Sequence, residues 1–170
     1  NVIDFYSSNR NKIADLYNSE KIPLKFIESK KILTVLDYGC AVGGFYEIIK
    51  KFFKKNINYH GVDTEKKIIE KAKKKYLYRK NLKFSVIKKS KLSLKSKKYT
   101  LSFCTGVLNH NNNYKLIIKD LIRVSSKYIF IDSPRVHMNK KFVGKLNLTK
   151  RFPSKIKKNN IVYNYTINLR

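Results

Sequence analysis

Three kinds of segment are missing from this sequence: a long apolar run, a hydrophobic signal region and a lipidation motif. No apolar stretch reaches the ~18 residues that a transmembrane helix needs, and no hydrophobic signal region is present. Cysteine is also scarce, because only Cys40 and Cys104 occur, and their spacing matches no metal-binding pattern. So few thiols suit a reducing compartment. These absences argue against a membrane-spanning, disulfide-rich or metal-binding protein, and we expect a cytoplasmic location.

Acidic residues are few. The 170 residues contain 11 aspartates and glutamates but 39 lysines and arginines, which gives a formal net charge of +28. A basic surface attracts phosphates without regard to sequence, so we expect nonspecific binding to nucleic acid or to an anionic surface. Lysine greatly outnumbers arginine, however, and asparagine and isoleucine are abundant, as AT-rich codons would produce. We therefore attribute the charge to compositional bias, with a dedicated polyanion site as the alternative.

Short apolar runs alternate with helical patterns along most of the chain, which is long enough for one domain with a full core. Five runs are predicted as strands: residues 32–36, 57–63, 82–86, 99–104 and 128–131. Helical patterns follow the first, second and fourth runs, with Thr64 capping the second helix, and a helical turn is predicted around Leu92 and Leu94. This alternation predicts an α/β fold with a doubly wound, mostly parallel sheet.

The two ends of the chain give weaker patterns. Residues 1–30 have partial helical spacing, which Pro23 divides into two pieces. Two strand-like runs, residues 142–148 and 161–169, lack a clear helix between them and are predicted to pair as a C-terminal antiparallel hairpin. Because the chain starts with Asn1 instead of methionine and closes on a strand-like run, we expect it to be truncated.

Residues 33–46 are the most informative stretch. An apolar run leads to Asp37, a turn follows that contains Gly39 and Gly43, and apolar residues then recur at helical spacing. Strand, glycine turn and helix form the arrangement in which a backbone approaches a nucleotide-type ligand at a helix N-terminus. The glycines lack the G-x-G-x-x-G spacing of a dinucleotide site, which disfavours a nicotinamide dehydrogenase. A tight turn in some other α/β protein remains the alternative at this point.

Three motifs, in order along the chain, resemble those of class I S-adenosylmethionine-dependent methyltransferases. They are Asp37-x-Gly39-x-Ala41-x-Gly43, with alanine at the family's middle glycine, Gly61-Val62-Asp63, and residues 99–110. The resemblance covers about residues 32–132 and implies a seven-stranded Rossmann-like sheet in the order 3-2-1-4-5-7-6, with S-adenosyl-L-methionine as the cofactor. It also implies a single domain with three parts: a helical lid (1–30), a cofactor-binding core (31–132) and C-terminal strands (133–170).

The same resemblance implies a set of cofactor-binding residues. Asp63 would accept the two ribose hydroxyls with its two carboxylate oxygens, and capping of the next helix is the alternative. Residues 86–92 contain no carboxylate for the adenine, so Ser90 or backbone groups would have to serve. Tyr17 is the predicted lid contact, with packing on the sheet as the alternative. The full predicted set is Asp37, Gly39, Cys40, Ala41, Gly43, Asp63, Thr64, Ser90, Cys104, Thr105, Gly106 and Tyr17.

His110 is the candidate catalytic base, because histidine titrates near neutrality and this one follows the fourth strand. A packing or capping role at the start of the next helix is the alternative. If the first and fourth strands are neighbours, Cys40 and Cys104 come close together, and we expect two inert thiols instead of a redox pair.

The predicted function is methyl transfer to a small-molecule or saccharide acceptor, through O-methylation. Two alternatives remain open. An RNA methyltransferase would use the basic surface, although the chain has no Asn-Pro-Pro-Tyr-type motif. A catalytically silent binding protein with the same fold is suggested by the missing adenine-side carboxylate.

Overall fold

The computed structural model describes residues 11–16, 21, 24–25, 28, 30–53, 56–88, 91–108, 111–132 and 165–166. Among these residues the strands are β1 (Thr34–Tyr38), β2 (Asn58–Asp63), β3 (Leu82–Val86), β4 (Tyr99–Thr105), β5 (Ser125–Asp132) and β6 (Tyr165–Thr166). The α-helices with defined bounds are α1 (Gly44–Phe53), α2 (Lys66–Lys75) and α3 (Tyr114–Val124), and a short 3-10 helix spans Ile13–Asp15. Residues 21, 24–25 and 28 are also helical.

The strands form one sheet in the order β3-β2-β1-β4-β5-β6. β1 pairs in parallel with both β2 and β4, β2 pairs in parallel with β3, and β4 pairs in parallel with β5. β6 is antiparallel to β5. The prediction of an α/β fold with a mostly parallel sheet is therefore confirmed. The strand predicted over residues 142–148 lies outside the described residues, so the seventh strand and the C-terminal hairpin stay predictions.

Apolar side chains cover both faces of the sheet. One cluster, which includes Ile49 of α1 and Ile69 of α2, packs these helices on one face, and a second cluster packs α3 on the other through Ile117 and Leu121. Nearly every residue of the central strands β1 and β4 is buried as a result. The carboxyl ends of these strands are therefore held firmly in place. In the part of the chain that the structure describes, no helix is long and apolar enough to cross a membrane.

Two strands extend beyond their predicted limits because of their pairing. β1 begins at Thr34 and continues past residue 36, since Asp37 and Tyr38 pair with β2 and with β4. β5 begins at Ser125 instead of at residue 128, because α3 leads directly into the strand. Asp37, predicted to follow the first strand, is therefore inside it.

Two local predictions were wrong. Glu65, and not Thr64, caps α2, since the Glu65 carboxylate accepts the backbone amide of Lys67 at 3.2 Å. The described residues 91–95 contain no helical turn. It is held instead by α3, where Asp120 accepts the Leu92 amide at 2.8 Å and the Arg123 guanidinium donates to the carbonyls at residues 92 and 94. These side chains satisfy the backbone groups that a helical turn would otherwise have paired.

β2 carries a buried histidine that links three strands. His60 is 4 % exposed, its Nδ1 lies 2.6 Å from the Tyr99 hydroxyl, and its Nε2 lies 2.9 Å from the Ser85 hydroxyl. Burial, followed by the positive charges of Lys83 and Lys98, lowers the pKa of His60 to about 4. The imidazole is therefore neutral at neutral pH.

Acidification to about pH 4.5 is expected to lower the free energy of unfolding by on the order of 2 kcal/mol through His60 alone. The unfolded chain takes up a proton near the ordinary pKa of 6.5, whereas the folded chain does not until about 4. This contribution is therefore complete above pH 6.5 and is lost as the pH falls towards 4. Urea unfolding at a series of pH values, compared between the wild type and His60→Gln, measures it. Equal pH slopes for the two proteins would contradict the assignment.

Candidate functional site

The turn between β1 and α1 is built by backbone hydrogen bonds to β2. The amides of Gly39 and Cys40 both donate to the carbonyl of Val62, at 2.8 and 3.1 Å, and the amide of Gly43 donates to the carbonyl of Cys40 at 2.9 Å. Gly39 and Gly43 have φ angles of 81° and 77°, and Ala41 has a φ of 47°. The residues predicted from the first motif therefore lie together in a tight turn at the carboxyl end of β1.

The two glycines of this turn are required by the packing of the protein itself. A Cβ added at Gly39 would overlap Cγ2 of Val107, and one added at Gly43 would lie 2.9 Å from ring atoms of both Phe84 and Tyr76. The Tyr76 hydroxyl also donates to the Gly43 carbonyl at 3.0 Å. The glycine turn predicts a close approach of the backbone to a ligand. On the side where a Cβ would project, however, protein side chains fill the space.

Gly106 is different, because its Cβ direction is open among the described residues. Its φ is 67°, and a Cβ added there would meet no described group within 4 Å. It follows the half-buried Thr105 at the end of β4, and the next residue, Val107, covers Gly39. The loops after β1 and β4 therefore touch each other, and Gly106 lies at the open side of that contact.

Asp63 ends β2 beside the turn and is fixed by two backbone amides. Its Oδ2 accepts the amide of Ala41 at 3.1 Å, and its Oδ1 accepts the amide of Glu65 at 3.1 Å. A carboxylate has about four lone-pair positions, so each oxygen can accept one more donor. This half-buried group is suited to a pair of neighbouring hydroxyls. The alternative prediction was that Asp63 caps the next helix. Asp63 does accept the backbone amide of Glu65 just before α2, but the cap residue of α2 is Glu65 itself.

Asp37 lies deeper than Asp63. It is 2 % exposed, and it accepts a buried hydrogen bond from the Tyr59 hydroxyl. Burial and then the charge of Asp37 raise the pKa of Tyr59 well above its usual value, so the phenol keeps the proton that it donates. Asp37 is thus a negative charge beneath the turn, where it organises the protein interior.

Cys40 and Cys104 are both buried free thiols. β1 and β4 are neighbours as expected, but Cys40 belongs to the cluster under α1 and α2 and Cys104 to the cluster under α3. Burial, followed by the charge of Asp37, raises the pKa of each thiol. Protonated thiols react slowly, which agrees with two inert cysteines. Within the described ranges, no three His, Cys, Asp or Glu side chains lie close enough together to hold a metal ion.

Three of the predicted site residues, Tyr17, Ser90 and His110, lie outside the described residues and stay predictions. Thr64 is exposed beside Asp63. The sequence did not single out Val107 as a site residue. Its contact with the turn depends on the neighbouring positions of β1 and β4, and no pattern in the sequence marks it.

Three features therefore lie together at the carboxyl edge of β1, β2 and β4. They are the tight turn, the Asp63 carboxylate beside it, and the space at Gly106 that no described residue fills. In parallel sheets, ligands bind at this edge, where the strand order reverses. β1 lies at that reversal, because its neighbours are β2 on one side and β4 on the other. A nucleoside with two free ribose hydroxyls fits this donor and acceptor set.

Comparison with known proteins gives the family. A family model described as a methyltransferase domain matches residues 29–169. Similar solved structures include a SAM-dependent methyltransferase from Aquifex aeolicus, with 21% identity over 68% of this chain and 62% of that chain, and a TM-score of 0.57. The YcgJ protein of Bacillus subtilis is 19% identical over 74% of this chain and 55% of that chain, with a TM-score of 0.56. The PH0226 protein of Pyrococcus horikoshii is 23% identical over 75% of this chain and 64% of that chain, with a TM-score of 0.54. No curated protein sequence matched the chain.

The solved structures share the fold of this chain, and the chain spans between about half and two thirds of their lengths. The family model, by contrast, covers most of this chain. The Asp63 carboxylate can accept two further hydrogen bonds, and the loops after β1 and β4 are open at Gly106 among the described residues. Both features suit the nucleoside part of the cofactor that this family uses. The chain belongs to the methyltransferase domain family, whose cofactor is S-adenosyl-L-methionine.

Proposed function

We propose that this domain transfers a methyl group from S-adenosyl-L-methionine to a hydroxyl of a small-molecule or saccharide acceptor. The observation that carries the proposal is the position of Asp63. The amides of Ala41 and Glu65 hold its carboxylate beside the tight turn at the carboxyl edge of the sheet. A fixed carboxylate with one free acceptor position on each oxygen suits two adjacent ribose hydroxyls.

Several residues would hold the cofactor together with Asp63. The turn from Gly39 to Gly43 supplies backbone groups on one side, and Thr105 and Gly106 border the open space on the other. When bound, the cofactor supplies an electrophilic methyl group on a sulfonium. The protein therefore needs mainly to align the acceptor and exclude water, which contributes on the order of 7 kcal/mol or more.

Other parts of the site are proposed from the sequence. Ser90 or nearby backbone groups would meet the adenine, Tyr17 would contact the cofactor from the lid, and His110 would act as the base for a hydroxyl acceptor. The lid of residues 1–30, the seventh strand and the C-terminal hairpin belong to the same proposal.

Calorimetry with S-adenosylhomocysteine tests the proposal. Asp63→Asn is expected to weaken binding by roughly 10- to 100-fold, because a hydrogen bond to a charged group contributes about 1.5–3 kcal/mol. Glu65→Gln is the matched control, since Glu65 is an exposed carboxylate close by whose oxygen accepts only the Lys67 amide among the described bonds. It is expected to bind as the wild type does. Equal binding by Asp63→Asn, or no binding by a folded wild type, would overturn the proposal.

Methyl transfer itself needs a second measurement. Labelled cofactor is incubated with the protein and with a cell extract that is separated into small molecules, saccharides, RNA and protein. Label in the small-molecule or saccharide fraction supports the proposed acceptor. Label in RNA alone favours the RNA methyltransferase, and binding of S-adenosylhomocysteine without transfer to any fraction favours a silent binding protein.

A further inference from the structure

The turn after α2 carries the two most exposed large apolar side chains of the described residues. Leu77 is 70% exposed and Tyr78 is 92% exposed, and they are adjacent in the chain. Single apolar residues at the surface are common and require no explanation, but a projecting pair with no described cover is less usual. We call Leu77 and Tyr78 the apolar tip.

Residues on both sides of the apolar tip hold it in place. Tyr76 is buried and stacks on Phe84, with ring centroids 5.5 Å apart. Asn81 is fixed on the other side by two hydrogen bonds. Its side-chain amide donates to the Ile57 carbonyl at 2.7 Å, and its backbone carbonyl accepts the Tyr59 amide at 2.9 Å. The turn is closed by the Arg79 amide, which donates to the Tyr76 carbonyl at 3.0 Å. The tip is therefore presented by a rigid frame, so little conformational freedom is lost when it binds.

Positive charges surround the apolar tip. Lys73, Lys74, Arg79 and Lys80 are all exposed within five positions of it. Residues 71–119 contain 15 lysines and arginines but no aspartate or glutamate. Compositional bias explains a high lysine content, but it does not by itself explain why acids are absent over this stretch. The four exposed cations next to the tip are therefore complementary to a polyanionic surface.

We propose that the apolar tip and its basic rim dock this domain on an anionic lipid bilayer. Leu77 and Tyr78 enter the interface between headgroups and acyl chains, while the ammonium and guanidinium groups of the rim meet lipid phosphates and carboxylates. Single-stranded RNA would stack on Tyr78, but it would leave Leu77 without a partner. A bilayer uses both side chains and the rim, and this is why we favour it.

The docking surface lies away from the cofactor edge. Asn81 bonds to residues at the amino end of β2, whereas Asp63 lies at the carboxyl end of the same strand. A bilayer bound at the apolar tip therefore leaves the edge that carries Asp63 accessible. The proposal is independent of the methyl acceptor and goes beyond the transferase activity.

Tyr78→Trp makes a specific reporter, because the chain contains no tryptophan. Its fluorescence is expected to shift to the blue with phosphatidylcholine vesicles that contain ~30 mol% phosphatidylserine, and to stay unchanged with pure phosphatidylcholine. Leu116→Trp is the control, since Leu116 is an exposed leucine (58%) on α3. Its emission is expected to stay constant. Quenching of the Tyr78→Trp emission by single-stranded RNA, without any shift on the vesicles, would overturn the proposal in favour of an RNA surface.

A second experiment separates the apolar tip from the overall charge. Leu77→Asn combined with Tyr78→Asn leaves every charge in place and is expected to lower vesicle partitioning at least ~10-fold. Leu116→Asn is the matched control and is expected to partition as the wild type does. Circular dichroism verifies that each variant is folded. Unchanged partitioning of the double variant would show that the net charge alone adsorbs the protein, and this would refute a docking role for the tip.

Discussion

Gly43→Ala is expected to destabilise the domain by roughly 2–5 kcal/mol, the largest effect predicted for a single methyl group. Two costs combine at this position. The φ of 77° is unfavourable for any residue with a Cβ, and the new methyl group would lie 2.9 Å from the rings of Phe84 and Tyr76. Both rings are buried and stacked on each other, so neither can move away easily. Urea unfolding followed by circular dichroism measures the loss.

Alanine substitutions at two other glycines measure the backbone cost and the contact cost separately. Gly106→Ala has the backbone cost without the contact, because the φ of Gly106 is 67° and no described group lies within 4 Å of the new methyl group. About 1 kcal/mol is expected. Gly61→Ala has the contact without the backbone cost, since a Cβ there would lie 2.7 Å from Sγ of Cys40, and about 1–3 kcal/mol is expected. If Gly43→Ala were no worse than Gly106→Ala, the proposed ring contact would be wrong.

Tyr59→Phe is expected to lower the free energy of unfolding by about 2–3 kcal/mol at neutral pH. The substitution removes the hydroxyl that donates to Asp37 and leaves a buried carboxylate with one donor fewer. Loss of a donor to a buried charged group costs more than loss of a bond between neutral groups, because water cannot replace the donor. Denaturant unfolding of the two proteins under identical conditions gives the difference.

Tyr46→Phe is the matched control for this effect. Tyr46 is buried in the same cluster, with its ring edge-on to that of Tyr59 at a centroid distance of 5.4 Å. Within the described ranges no hydrogen bond of its hydroxyl is found, so a change below about 1 kcal/mol is expected. Similar losses for the two variants would mean that general packing, and not the bond to Asp37, accounts for the result.

The fold was predictable because its signals are local. Residues 82–86 alternate in polarity and form β3 over the predicted limits, and the spacing of apolar residues in α1 and α2 marks the faces that the sheet buries. Strand boundaries were less certain. β1 spans Thr34–Tyr38 instead of residues 32–36, and β5 is longer than predicted, because pairing with neighbouring strands sets these limits. Such pairing is not visible in a short window of sequence.

The site was predictable in part. Asp63 lies beside the first motif as expected, because the carboxyl ends of neighbouring parallel strands meet at one edge. The prediction that Thr64 caps α2 was wrong, since the side chain of Glu65 accepts the Lys67 amide instead. A threonine and a glutamate in adjacent positions are both plausible caps, and only the backbone geometry selects between them.

The order of strands and helices, the parallel sheet and the glycine turn between β1 and α1 could all be predicted from the amino-acid sequence, because periodicity and motif spacing are properties of nearby residues. The reason why that turn needs its glycines becomes visible only in the packed fold. Val107 covers Gly39, and Tyr76 and Phe84 press on Gly43. The packed fold also makes Asp37 a buried partner of Tyr59. These pairs are distant in the chain and meet only because the sheet places β1 between β2 and β4, so packing, which no local pattern encodes, fixes their roles.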